Sequence, residues 1–158
     1  MRTFFRLQLA ALALIGVGSA TGCIDSLEPD VGPLIRESCF DEDSNPDVAV
    51  SYSEQIVPLL FETPTAGCLE CHAPNAPTPE GYLISGLDVS SYNALRSGGN
   101  IAGTSVIIPG QPCESILLQK TAAGPPFGGR MTLNRRPVLS DEQTQLLHDW
   151  IVEGAQNN

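Results

Sequence analysis

Fifteen glycines and thirteen prolines are scattered through the 158 residues of the chain. Proline removes a backbone donor and glycine loosens the backbone, so a chain punctuated this often is not expected to build long helices or a large sheet. Short elements joined by many loops are expected instead. The length is sufficient for one compact core and not for two.

Acidic residues outnumber basic ones 18 to 8, a net charge of −10, which rules out nucleic acid as a partner. Two of the basic residues, Arg2 and Arg6, precede an apolar run from Leu7 to Val17, broken by Gln8 and followed by small residues from Gly18 to Gly22. The run is too short to span a bilayer, and its flanks predict a secretion signal over 1–22. Its end, Ala20-Thr21-Gly22-Cys23, resembles the bacterial lipobox. That resemblance implies cleavage before Cys23 and acylation of its thiol; the alternative is an ordinary signal with an incidental cysteine. Several acyl chains on one residue make a stable anchor. Ile24 stands where an aspartate resembles an inner-membrane retention signal, so an outer-membrane lipoprotein facing the periplasm is expected.

From Ile24 to Val50, eight acids stand against Arg36 alone, among three prolines. This predicts a solvated acidic tether over 23–50, or else a coil laid on the surface of a domain that occupies 51–158. In that domain Ser51 or Ser53 caps a helix carrying Ile56, Leu59, Leu60 and Phe61, which Pro58 must delay or bend. A break over 63–67 and a loop with Pro74, Pro77 and Pro79 flank residues 68–72. Ser90 or Ser91 caps a helix through Arg96 that stops at Gly98-Gly99, and another runs from Cys113 to Lys120 behind Pro112. A Gly/Pro-rich stretch over 124–129 leads to Met131. In the last helix Ser140 and Gln143 form a capping box, Leu146, Leu147, Trp150 and Ile151 an apolar face, and Gly154 the stop. The expected fold class is all-α.

Cys68-Leu69-Glu70-Cys71-His72 has the spacing of a c-type haem attachment signature. Two thiols add across the two vinyl groups of the porphyrin, and the adjacent imidazole reaches the iron, so one turn of chain supplies three bonds. A zinc site would need a second paired-ligand motif, and a thioredoxin-like redox pair would need a βαβ setting; the chain shows neither. The opposite face of the iron has two candidates beyond Cys23, Met131 and His148. Met131 follows a loop able to carry a thioether over a ring, whereas His148 lies beside the apolar stripe of the last helix, where a partly exposed histidine is the plainer reading.

Several stretches resemble the class I c-type cytochromes, in detail those of planctomycete and myxobacterial cytochrome c lipoproteins. They are Ile56-Val57-Pro58-Leu59-Leu60, Cys68 to His72, Gly86-Leu87-Asp88-Val89-Ser90-Ser91-Tyr92, Ile108-Pro109-Gly110, Gly129-Arg130-Met131, and Leu139 to Glu142 with Trp150 to Ala155. The resemblance covers about 51–155. It implies a small domain wrapped around one covalent haem c, His72 and Met131 as axial ligands, and first and last helices that cross, with Trp150 and Leu147 against Ile56 and Leu60. A proline usually follows the methionine in such proteins; here Thr132 does.

Cys39 and Cys113 are then the two cysteines left over, and in an oxidising compartment they are expected to form a disulfide, with two buried thiols as the alternative. Arg130, Arg135 and Arg136 flank Met131, either as partners for haem propionates or for an acidic protein, or as solvated loop charges. The expected function is single-electron transfer to and from redox proteins, with no catalytic constellation that would make the chain an enzyme itself. Two other functions compete: a haem with an open or displaceable sixth position for a gas or peroxide, and a structural or adaptor lipoprotein whose haem supports the fold.

Overall fold

The computed structural model of the chain describes residues 39–61, 67–131 and 138–158. The expected signal over 1–22, Cys23, the tether as far as residue 38, and Arg135 and Arg136 lie outside the described residues. Among those described, the fold is all-α with no strand; Gly99 and Gly103 form an isolated bridge. Five helices follow one another: α1 (Tyr52–Phe61), α2 (Glu80–Ser85), α3 (Tyr92–Ser97), α4 (Ile116–Thr121) and α5 (Asp141–Val152). Tight single turns of 3-10 type lie at Cys68–Glu70, Thr104–Val106 and Pro112–Glu114.

Pro58 sits inside α1, which is wound in the wider π form. A proline ring would collide with the carbonyl one α-turn back and has no N–H to give it, and a wider winding accommodates it. Ser51 caps this helix by accepting from Glu54 N–H at 3.2 Å. The chain end adds a second cap: Asn158 accepts from Tyr52 N–H through its side chain and from Ser53 N–H through its backbone carbonyl. In α5 the capping box is complete, with Ser140 Oγ accepting from Gln143 N–H and Gln143 Oε1 from Ser140 N–H.

The core forms where α1 lies on α5. Ile56, Leu60, Leu147, Trp150 and Ile151 are fully buried there, joined by Leu95 of α3 and by Leu117 and Leu118 of α4. Tyr52 stacks on Trp150 with centroids 5.4 Å apart and meets Tyr92 edge-on at 5.2 Å. Both polar tips are satisfied: Tyr92 Oη donates to the Ala155 carbonyl and Trp150 Nε1 to that of Gln156.

Two expectations need correction. The proline loop after His72 gives way at Glu80 to a helix, α2, that the sequence reading left out, while the helix expected from Cys113 is a tight turn followed by α4. The acidic segment, where it is described, is no solvated tether. Residues 39–50 run as a strap along α5, and the fold extends at least back to Cys39. Ser44 donates to Asp149 from its backbone N–H at 3.2 Å and from its hydroxyl at 2.5 Å, and Val50 N–H reaches Glu153 Oε2 at 2.7 Å. Asp41 accepts from Cys113 N–H, and Cys39 is disulfide-bonded to Cys113, 74 residues away. Two acids one turn apart on α5 thus hold the amides of an acidic strap, which composition alone reads as repelling.

Candidate functional site

Gly67 begins the site. Its backbone is left-handed, φ 62° and ψ 37°, a conformation glycine adopts without a Cβ clash, and it turns the chain into the Cys68–Glu70 turn. The Cys68 carbonyl then accepts from Cys71 N–H at 3.2 Å and from His72 N–H at 2.8 Å. Cys68, Cys71 and His72 are therefore brought onto one turn. Both thiols are reduced and partly buried, and Cys71 Sγ lies 3.7 Å from Thr78 Oγ1. The loop that follows is tied back to the turn, Tyr82 N–H on the Cys71 carbonyl and Val89 N–H on that of His72, each at 2.8 Å.

The imidazole of His72 is oriented from two sides. Its ring hydrogen-bonds the Leu87 carbonyl, and Nδ1 lies 3.5 Å from the Ser85 hydroxyl, which itself donates to the Gly81 carbonyl and accepts from Leu87 N–H. Nε2 faces Gly81, where an added Cβ would stand 2.7 Å away. Glycine inside a helix costs about 0.5–1 kcal/mol against alanine, and here a side chain would collide with the ring, so the α2 backbone packs directly against its Nε2 edge. Burial pushes the His72 pKa down; the Leu87 hydrogen bond opposes this and the charge of Lys120 adds to it. The ring is accordingly neutral at neutral pH, the form in which imidazole binds a metal. Cys68, Cys71 and His72 thus share one turn, the residue set a covalently attached haem needs, with the His72 Nε2 edge packed against the α2 backbone at Gly81.

Met131 is tied to the end of α4. Its N–H donates to the Lys120 carbonyl at 2.7 Å, and Lys120 is the residue whose charge His72 feels. Arg130, considered above as a propionate partner, donates from Nε to the Thr121 carbonyl at 2.9 Å and so pins the loop to the end of α4. His148 lies elsewhere. It is buried rather than partly exposed, with Nε2 holding the strap at the Phe40 carbonyl at 2.5 Å and Nδ1 3.0 Å from Asp149 Oδ1 of its own helix. Its ligand atom also lies within 4.8 Å of the sulfurs of Cys39 and Cys113, but the bond between those sulfurs removes them as thiolate ligands.

Sequence reasoning passed over Gly81, Leu87 as a backbone acceptor, Lys120, and the strap anchors Asp149 and Glu153. One signal was available for Lys120: it is the single lysine in the chain. A backbone carbonyl has no sequence signature. Compared with protein-family models, with curated proteins and with solved structures, the chain shows no match.

Proposed function

We propose that the chain is a mono-haem c-type cytochrome that carries single electrons between redox proteins in the cell envelope, tethered to a membrane through an acylated Cys23. The observation that carries this reading is the turn from Gly67 to His72, which brings two thiols outside any disulfide and an imidazole together. When bound, the haem supplies an iron that exchanges one electron. Cys68 and Cys71 hold it by thioether bonds, and His72 serves as the proximal ligand. The Leu87 carbonyl fixes the plane of the His72 ring and increases its donor strength, as outer-sphere partners of ligating histidines do. Met131 is the distal ligand. Methionine ligation, burial and the nearby charge of Lys120 all favour the less positively charged ferrous state, so the reading implies a raised potential.

Two measurements on protein made with a cytochrome maturation system test the reading. Acid-acetone extraction is expected to leave the haem on the polypeptide; a colourless polypeptide after extraction rejects attachment at Cys68 and Cys71. Mass spectrometry of the membrane fraction is expected to find an acylated amino terminus at Cys23, and a soluble product cut at another bond rejects the anchor.

A further inference from the structure

Lys120 lies in the last turn of α4, partly buried, with its ammonium over the loop that follows. Nζ donates to the Phe127 carbonyl at 2.7 Å and to the Gly129 carbonyl at 2.5 Å, and stands 4.9 Å from the centroid of the Phe127 ring. The backbone carbonyl of the same residue accepts the N–H of Met131. Gly128, between the two carbonyls, has φ +57°, and a Cβ there would lie 3.6 Å from Nζ. That left-handed residue turns the carbonyls on either side of it toward one cation. A stretch reading Gly124-Pro125-Pro126-Phe127-Gly128-Gly129 has much backbone freedom to lose, and hydrogen bonds from a charged donor are about twice as strong as neutral ones.

We propose that Lys120 is the positioning residue for Met131: one side chain closes the Gly/Pro-rich loop on itself, and the carbonyl of the same residue fixes the methionine at its end. The consequence for the sixth position rests on the reading of Met131 as the distal ligand; the closed loop itself does not. Lys120 touches no reacting atom in this scheme. It acts by holding the thioether in one place, so that a competing ligand meets a closed site.

The test compares Lys120→Gln and Lys120→Arg with the full-length haem-loaded protein. Both replacements are good helix formers, so α4 is retained. Glutamine is too short and uncharged to hold both carbonyls, whereas arginine keeps the charge and two donors. Lys120→Gln is expected to weaken the far-red sulfur-to-iron band of the ferric protein. It should also speed both cyanide binding and tryptic cleavage after Arg130 by about tenfold or more, the size of effect expected when charged hydrogen bonds that close a loop are lost. Lys120→Arg should restore most of all three. The clasp is overturned if Lys120→Gln matches wild type in band, cyanide rate and cleavage, or if arginine fails as fully as glutamine. Should wild-type protein lack the sulfur band, or keep it in Met131→Ala, the ligand reading fails instead. Cleavage after Arg130, with the same expected acceleration and rescue, then decides the clasp alone.

Discussion

Replacing Cys39 and Cys113 together by serine is expected to lower the unfolding free energy by about 4 kcal/mol, roughly a thousandfold in the folding equilibrium. The bond closes a loop of 74 residues of sequence separation, and long loops lose the most chain entropy when cross-linked in the unfolded state. It also anchors the strap at the point where Asp41, Phe40 and Ser44 make their contacts with Cys113, His148 and Asp149. Urea unfolding of wild type and double variant, with equal haem content, measures the difference; a shift below about 1 kcal/mol would show that the polar contacts of the strap suffice. Those contacts carry a pH dependence of known sign. Burial raises the Asp149 pKa, but the hydrogen bonds from Ser44, Gln145 and His148 outweigh it and hold the carboxyl below its usual range. A depressed carboxyl stabilises the fold above its unfolded pKa, and that contribution disappears as pH falls through the lower folded value. Acid therefore leaves the disulfide as the main hold on the strap, and the gap between variant and wild type is expected to persist after Asp149 is protonated.

Met131→Ala is expected to abolish the far-red band of the oxidised protein and to open the reduced protein to carbon monoxide. The reduction potential should fall by at least about 60 mV, a tenfold shift in a one-electron equilibrium. The expectation follows from the thioether's preference for the ferrous state and from the place of Met131 beside the lysine that His72 senses. His148→Ala is the control. Its ring nitrogens bind the Phe40 carbonyl and Asp149, so removing it should loosen the strap and leave the spectrum unchanged. Loss of the band in His148→Ala but not in Met131→Ala would assign the sixth position to the histidine. Rapid carbon monoxide binding by wild type, with no band, would instead favour an open site for small ligands.

The turn that carries Cys68, Cys71 and His72 was legible because all its chemistry lies within five consecutive residues, and local geometry follows from local sequence. The same holds for α5, whose capping box, apolar stripe and terminal glycine are each short-range signals that the structure reproduces between Ser140 and Gly154. The helix α2 was not legible. Three prolines precede it, no side-chain cap marks it, and Gly81 within it lowers its intrinsic helix propensity. The His72 ring packs against that glycine, a contact of side chain with backbone that leaves no residue pattern in the sequence.

The course of residues 39–50 was likewise settled by tertiary structure. Composition leaves a solvated tether and a surface coil both open, and folding selects the coil by giving their backbone and hydroxyl donors to Asp149 and Glu153 and tying Cys39 to Cys113. By itself the sequence determined the class of elements, the start and stop of α5, and the grouping of Cys68, Cys71 and His72 on one short stretch. Only the tertiary structure decided that the His72 Nε2 edge packs on Gly81, that Lys120 meets the loop before Met131, and that His148 holds the strap at Phe40. Those outcomes depend on backbone carbonyls and on the absence of side chains. Both act through proximity in space: every residue carries a carbonyl, and the missing side chain of a glycine matters only where another group packs against it.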